Sequence, residues 1–297
     1  MADPLIILAA PRSFTSVVCA MLGQHPQMYG LPELNLFVAG SMRERSALTD
    51  RLPVMNDGLL RATAQVIAGE QTPQSITLAR QWLAVRAASS CTGVFHELAF
   101  LLDPRVPVEK SPMTVLHVEY LQRLRREVPR ARYLHLVRHP RSQGESMWNF
   151  GMYAGWRLRA IDYATDPPSL DVQVAWYRLN MNIITFLDGV ARDLQIMLRG
   201  EELLANPDAY LADIAGWLGL RTDAPAIEAM KHPERSVFAR LGPPGARFGN
   251  DPEFLEHPEL RPDSRPVPRL DGPVPWRRDG AGLSADVRRL AEEFGYA

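Results

Sequence analysis

The sequence has few cysteines, no long apolar run and no excess of basic residues. Only two of its 297 residues are cysteines, Cys19 and Cys91, and no Cys/His spacing is typical of zinc, so neither disulfides nor a metal site is expected. The apolar stretch at residues 5–10 is too short for a signal-peptide core or a membrane span. A formal net charge of −1 gives no general attraction for nucleic acid or anionic membranes. We therefore expect a cytoplasmic protein with no nucleic-acid or membrane partner.

The pattern that is present is one of strands alternating with helices. Residues 5–10 form a continuous apolar run, typical of a strand buried on both faces of a parallel sheet. A polar loop at residues 11–16 follows, and apolar residues then recur at helical spacing as far as Gly23. Residues 132–138 repeat this arrangement, because a His-Pro pair closes the strand and a helix follows. The alternation predicts the α/β class, with a central parallel sheet flanked by helices.

The other segments are predicted to complete a single domain over residues 1–297. Residues 36–100 have helical periodicity and are predicted to form a helical insertion or lid. Ten of the 25 prolines lie between His232 and Trp276, so residues 231–282 are predicted to form an irregular C-terminal loop region. Further strands are predicted at residues 105–110 and 194–198, and further helices at residues 113–128, 172–190, 210–218 and 283–294.

The loop after the first strand has the composition of an anion site. Residues 11–16 read Pro-Arg-Ser-Phe-Thr-Ser and lead directly into a helix, whose N-terminus carries partial positive charge. Arg12 adds a full charge and a planar set of donors, and three hydroxyls add further donors. The loop lacks the Gly-Lys-Ser/Thr ending of a kinase-type P-loop. The alternative is an ordinary helix cap beside a surface arginine.

A second arginine occupies the equivalent place after the second strand. Arg138 ends residues 132–138, and in open α/β sheets ligands bind beside the carboxyl ends of strands. Ser146 lies eight residues further on, about two turns into the next helix, and can face the same crevice. We interpret the two residues as a cradle for a second phosphate. The alternative is a salt-bridged arginine and a serine without a function.

Taken in order, these segments resemble the sulfotransferase family. Residues 10–16 resemble its 5′-phosphosulfate-binding loop, commonly Pro-Arg-Ser-Gly-Thr-Thr, with Phe14 at the usual glycine. Residues 138–146 resemble its 3′-phosphate segment, which typically reads Arg-x-Pro-Arg/Tyr-x-x-x-x-Ser. The resemblance implies a P-loop-like fold, 3′-phosphoadenosine-5′-phosphosulfate (PAPS) as co-substrate, adenosine 3′,5′-bisphosphate (PAP) as product, and no metal. The nucleotide-binding residues that it implies are Arg12, Ser13, Phe14, Thr15, Ser16, Arg138, Ser146, Arg247 and Gly249.

Three further segments match the family more loosely. Residues 109–112, Glu-Lys-Ser-Pro, resemble its Asp/Glu-Lys-Thr/Ser-Pro turn. Residues 198–203 resemble its Arg-Tyr-Glu-Asp-Leu segment, but Gly200 replaces an aromatic residue that would offer a ring for adenine stacking. Residues 245–252 resemble the late loop that closes over the 3′-phosphate and adenine, which would place Arg247 on the nucleotide. A surface arginine is the alternative there.

The catalytic residues implied by the resemblance are Arg12, Lys110 and a carboxylate base. Arg12 and Lys110 would stabilise charge on the transferred group, as transfer of a phosphoryl-like group demands. Glu33 resembles the base of tyrosylprotein-type sulfotransferases and the Pro-Pro-Glu segment of polyketide and olefin-synthase sulfotransferase domains. A helix-capping or ion-paired Glu33 is the alternative. His96 is the second candidate for the base, with a buried structural histidine as its alternative.

The acceptor is predicted only as a class. The helical insertion and residues 250–255 most resemble sulfotransferases of bacterial polyketide and olefin-synthase pathways. That resemblance implies a β-hydroxyacyl chain on a carrier protein, or a natural-product alcohol, as acceptor. A free small molecule or a protein tyrosine is the alternative acceptor. A P-loop-type kinase and a catalytically silent nucleotide-binding module are the alternative functions.

Overall fold

One parallel sheet lies at the centre of the protein. The structure, a computed structural model, describes residues 2–50, 52–151, 159–261 and 267–297. The strands are β1 (Leu5–Leu8), β2 (Met28–Gly30), β3 (Val106–Lys110), β4 (Arg132–Val137), β5 (Ile161–Asp162), β6 (Ser169–Leu170) and β7 (Gln195–Arg199). Five of them form the parallel sheet, in the order β2–β3–β1–β4–β7, and β5 pairs with β6 in a separate hairpin. The predicted α/β architecture is confirmed.

Helices pack on both faces of this sheet, and further helices pack on those. Together the α-helices are α1 (Thr15–Leu22), α2 (Met42–Thr49), α3 (Asp57–Ala68), α4 (Pro73–Val85), α5 (Cys91–Leu102), α6 (Val118–Glu127), α7 (Pro140–Phe150), α8 (Val172–Leu187), α9 (Gly200–Ala205), α10 (Pro207–Trp217), α11 (Ala224–Met230), α12 (Pro252–Glu256) and α13 (Ala285–Glu293). Within the described residues, no helix has both the length and the apolar character needed to cross a membrane.

Strand β1 is apolar throughout because it is buried on both of its faces. Ile6 and Leu8 belong to a core cluster that includes residues of α5 and α8. Leu5 and Ile7, which point the other way, belong to a cluster that includes residues of α1 and α10. Successive side chains of a strand alternate between faces, so a run of apolar residues fills two cores at once.

One predicted helix needs correction, and one strand was not predicted. The helix predicted over residues 113–128 begins later, because Pro112–Leu116 form a 3₁₀ turn and His117 is extended (φ −137°) before α6. Strand β2 was not predicted, since a three-residue strand shows no periodicity. Four α-helices occupy residues 36–100, while residues 231–282 contain only α12 and a 3₁₀ turn among their described positions. Residues 262–266 of that predicted loop region lie outside the described residues.

The parallel order brings the ends of several strands to one edge of the sheet. Ile7 of β1 is in register with Lys110 of β3, and Leu8 is in register with His135 of β4. Val137, near the end of β4, is in register with Arg199 at the end of β7. The loops after β1, β3, β4 and β7 therefore leave the sheet side by side, at the edge where open α/β sheets bind ligands.

Candidate active site

The loop after β1 makes a sharp turn before α1. Arg12 (φ 64°) and Phe14 (φ 61°) both have left-handed backbone, which is uncommon for residues other than glycine. Such conformations cost about 1 kcal/mol or more each and are concentrated at functional sites. Ser13, Thr15 and Ser16 are buried around the start of α1. The loop thus aims the Arg12 side chain and the helix N-terminus in a fixed direction.

The guanidinium of Arg12 is held by contacts on several sides. Its Nε donates a hydrogen bond to Ser146 Oγ at 3.0 Å. The ring of Phe150 lies 4.7 Å from the guanidinium carbon. The two terminal nitrogens bind the carboxylates of Asp251 and Glu253. Ser146, predicted beside Arg138, therefore contacts Arg12.

Arg138 is anchored against the same loop. Trp176 Nε1 donates to its backbone carbonyl at 2.9 Å, which fixes the chain where β4 ends. The Arg138 guanidinium donates to the carbonyl oxygen of Arg12 at 2.7 Å. Its central carbon lies 4.2 Å from the centre of the Phe14 ring. The two arginines predicted to hold separate phosphates are therefore neighbours.

A single cavity of about 1150 Å³ is lined by both arginines. Arg12, Ser13, Phe14, Thr15 and Ser16 form one wall, and Arg138 with Ser146 forms another. Many carboxylates also line it: Glu145, Glu201, Glu202, Asp251, Glu253, Glu256 and Glu259. Drug-sized ligands occupy pockets of roughly 300–1000 Å³, so the cavity has room for a nucleotide.

Lys110 and Glu33 form an ion pair directly behind Ser16. Lys110 Nζ lies 2.8 Å from Glu33 Oε1 and donates to Ser16 Oγ at 2.9 Å. The Lys110 side chain is fully buried, whereas 27% of the Glu33 side chain is exposed. Ser16 lines the cavity, so it links the pair to the cavity wall. The sequence predicts both residues for the catalytic site without predicting a contact between them, and the structure brings them together.

The segment from Gly249 to Glu253 covers this region. The Gly249 carbonyl accepts a hydrogen bond from the Glu33 amide at 2.7 Å, and the Asp251 amide donates to Ser16 Oγ at 3.1 Å. Gly249 has φ 99°, and a Cβ there would lie 2.5 Å from the Cα of Gly58. Only glycine fits this crossing. The segment thus connects the Glu33 backbone to the loop that carries Arg12.

Three further predicted site residues, like Lys110 and Glu33, do not line the cavity. His96 lies on α5 in a separate groove of about 570 Å³, which it lines together with Trp82, Arg86, Glu97, Phe100 and Leu101. Arg247 is exposed and is not part of the cavity wall. Gly249 makes a backbone contact with Glu33 and does not line the cavity either. Neither His96 nor Arg247 is positioned for a role beside Arg12.

Sequence reasoning missed several residues that define the site. Asp251 and Glu253 bind Arg12, Phe150 stacks on it, and Trp176 anchors Arg138. Asp251 and Glu253 flank Pro252 just after the glycine-containing loop, and this pattern is only a weak indication that they contact the site. Phe150 ends the helix that carries Ser146. Because it lies one helical turn after Ser146, helical spacing predicts that both side chains lie on the same face of the helix.

Comparison with known proteins decides the family. The sequence profile of the sulfotransferase family matches residues 4–224. The chain belongs to the sulfotransferase family. No curated protein sequence matches it.

Solved structures agree with this assignment of the fold. The sulfotransferase domain from the curacin biosynthetic pathway is 23% identical, with a TM-score of 0.80, and the match covers 100% of this chain and 99% of that one. The sulfotransferase domain from the Synechococcus PCC 7002 olefin synthase is 25% identical, with a TM-score of 0.75, covering 100% of this chain and 97% of that one. The predicted resemblance to this group of sulfotransferases is confirmed.

A buried carboxyl lies beside the Lys110–Glu33 pair of this sulfotransferase. Glu109 has no exposed surface, and this burial raises the pKa of its side chain to about 7. The Ser111 hydroxyl donates to it, and the same hydroxyl accepts from the Asn35 amide at 2.9 Å. Glu109 therefore connects the end of β3 to the chain just after Glu33.

Replacing Glu109 is expected to change how stability depends on pH. Its pKa is raised from 4.5 to about 7 on folding, so its contribution is complete below pH 4.5 and is lost as the pH rises through 7. This amounts to about 3 kcal/mol at about 1.4 kcal/mol per pKa unit. We expect urea denaturation of Glu109→Gln to show a flatter dependence of unfolding free energy between pH 5 and 8. Glu292→Gln, on the surface of α13, is the control; an equally flat profile there would contradict the assignment.

Proposed function

We propose that this sulfotransferase moves a sulfuryl group from PAPS to the hydroxyl of an acceptor. The observation that supports this most is that Arg12 and Arg138, on the loops after two neighbouring strands, line one cavity. A ligand with two separate phosphate groups needs two such cationic positions. An ATP-dependent kinase is disfavoured, because the loop lacks the Gly-Lys-Ser/Thr sequence that binds the phosphates there.

The two ends of the nucleotide are assigned to different arginines. We place the 5′-phosphosulfate at Arg12 and the start of α1, where the helix dipole and hydroxyls also favour an anion. Ser16 and the buried Lys110 behind it lie on this side of the cavity. We place the 3′-phosphate at Arg138, whose planar guanidinium suits two phosphate oxygens. Neither of these two binding positions uses a metal ligand from the chain.

Glu33 is the proposed base. The acceptor oxygen forms a bond to sulfur while the bond from sulfur to the 5′-phosphate oxygen breaks, and PAP leaves. The acceptor proton passes to the Glu33 carboxylate, which is partly exposed and therefore accessible. Lys110, 2.8 Å from that carboxylate, supplies positive charge on the side of the leaving oxygen. Glu33 thus accepts the proton and Lys110 stabilises the negative charge, and the two residues contact each other.

The proposed acceptor is a hydroxyl on an acyl chain held by a carrier protein, or a natural-product alcohol. What supports this is the likeness to the olefin synthase domain over nearly the whole of both chains. A free small molecule and a protein tyrosine are the competing acceptors. Transfer of the labelled sulfuryl group from PAPS distinguishes these acceptors, because the proposed nucleotide site is the same for all of them.

Two measurements test the proposal. Calorimetry should detect PAP binding to the whole chain and no ATP binding, since ATP lacks a 3′-phosphate for Arg138. Labelled PAPS should then transfer sulfate in a screen of hydroxylated acceptors, both free and carrier-bound. ATP binding without PAP binding would replace the proposal with a kinase. PAP binding without transfer to any acceptor would indicate a silent nucleotide-binding module.

The carboxylate of Asp251 is expected to compete with the nucleotide for Arg12. It binds the guanidinium from a position that is 24% exposed, where screening by water is incomplete. Asp251→Asn removes the charge, while asparagine still caps α12 as aspartate does now by accepting from the Glu253 amide at 3.0 Å. We expect PAP affinity, measured by calorimetry, to rise roughly tenfold.

Neighbouring carboxylates provide matched controls for this prediction. Glu253→Gln should have a smaller effect, because its side chain is 74% exposed and its ion pair is screened. Glu256→Gln removes a charge from the same cavity wall at a residue of the same short helix. A gain with Glu256→Gln equal to that of Asp251→Asn would show general cavity charge as the cause. A loss with Asp251→Asn would show that Asp251 orients Arg12 for the ligand.

A further inference from the structure

Phe14, which lines the cavity, packs against Gly200. Gly200 is the first residue of α9, directly after β7, and Phe14 precedes α1. A Cβ built at position 200 would lie 2.5 Å from Phe14 Cδ2 and 3.2 Å from Cε2. Gly200 is not among the glycines with positive φ, so its backbone does not require glycine. The Phe14 ring itself is what leaves no room for a side chain at position 200.

Phe14 stands in a conformation that favours glycine instead. Its φ of 61° is left-handed, where a bulky side chain is strained. The sequence therefore has a glycine where the backbone is ordinary and a phenylalanine where the backbone favours glycine. Phe14 stands where the family usually has glycine, and Gly200 stands where it usually has an aromatic residue. The contact between them indicates that the two departures depend on each other.

The ring that creates this strain also contacts Arg138. The guanidinium carbon is 4.2 Å from the ring centre, within the range of a cation–π interaction. The same guanidinium donates to the Arg12 carbonyl at 2.7 Å. A ring below and a carbonyl beside it fix the guanidinium plane before any ligand arrives, which reduces the side-chain entropy lost on binding.

We propose that Phe14 and Gly200 form a matched pair in which the Phe14 ring takes the space of a side chain at position 200 and positions Arg138 for the 3′-phosphate. This inference rests on the proposed function, because it assigns Arg138 to that phosphate. Phe14 is a positioning residue that acts through Arg138. Gly200 is required only because the ring occupies its side-chain space.

The first test compares two ligands that differ in the 3′-phosphate. Phe14→Leu keeps an apolar side chain against Gly200 but removes the ring, and with it the cation–π contact to Arg138. We expect the Kd for PAP to rise on the order of tenfold, within the roughly 2- to 30-fold range of such contacts. The Kd for adenosine 5′-phosphate, which has no 3′-phosphate, should change by less than about twofold. Equal losses for both ligands, or no loss for either, would overturn the role through Arg138.

The second test is a double-mutant cycle on the pair. Gly200→Ala should lower the Tm and weaken PAP binding, because its Cβ displaces the Phe14 ring. In a Phe14→Gly background the same Gly200→Ala change should have little effect on Tm, since the space is then open. Phe14→Gly keeps the left-handed turn, so the chain still folds. Equal Tm losses from Gly200→Ala in both backgrounds would overturn the matched pair.

Failure of the proposed function gives a different result. The wild-type protein would then bind no PAP, which removes the role in 3′-phosphate binding. The Tm cycle does not depend on a ligand, so dependence of the Gly200→Ala effect on Phe14 would still establish the packing relation. Loss of 3′-phosphate discrimination in a protein that binds PAP establishes the positioning role.

Discussion

Glu33→Gln is expected to lower turnover about 10²- to 10⁴-fold, the range that a positioned general base contributes. The amide is nearly isosteric and can still bind near Lys110, but it cannot accept the acceptor proton. Because Glu33 is linked to Ser16 only through Lys110 and does not line the cavity proposed for the nucleotide, the Kd for PAP should stay within about twofold of wild type. Transfer from labelled PAPS measures the first quantity and calorimetry the second.

The matched controls for this prediction are the second candidate for the base, His96, and its neighbour Glu97. His96→Gln and Glu97→Gln alter residues of the separate groove on α5, so turnover should remain close to wild type in both. Full activity of Glu33→Gln would reject Glu33 as base. A large loss in His96→Gln with normal PAP binding would move the base to that groove.

The fold and the position of the loops that carry Arg12 and Arg138 were predictable because their determinants are local. Residues 5–16 contain the apolar strand, the arginine and the helix start in consecutive positions, and β1 with α1 forms there. Arg138 could be located in the fold from the sequence because it directly follows the six-residue apolar strand β4. Parallel packing then determines that both loops meet at one edge, which is a general property of such sheets.

The remaining parts of the site depend on contacts between residues distant in sequence. Asp251 lies 239 positions from Arg12, and nothing in the local pattern around Pro252 indicates which residue it will bind. The relation between Phe14 and Gly200 is of the same kind, since each alone reads as a departure from a motif. The position of His96 in a separate groove was unpredictable for a related reason: its apolar neighbours predict a helix but do not say which face meets the sheet.

Lys110→Met is expected to lower turnover about 10²- to 10³-fold, the loss seen when one preorganised charge-stabilising donor is removed from an active site. Methionine is similar in length and tolerated in cores, so it fills the fully buried position without a charge. The remaining Glu33 carboxylate is 27% exposed and can be solvated, which limits the loss of stability. Circular dichroism and a thermal melt check that the variant folds.

The chain's other lysine offers the control for this change. Lys231 pairs with Asp208 and Glu228 on the surface, so Lys231→Met should leave turnover unchanged. The double variant Glu33→Gln/Lys110→Met should lose little more than the worse single variant, because residues that act as one unit are not additive. If the two losses in turnover multiply, Lys110 and Glu33 act independently. The 2.8 Å contact between them would then have no role in the reaction.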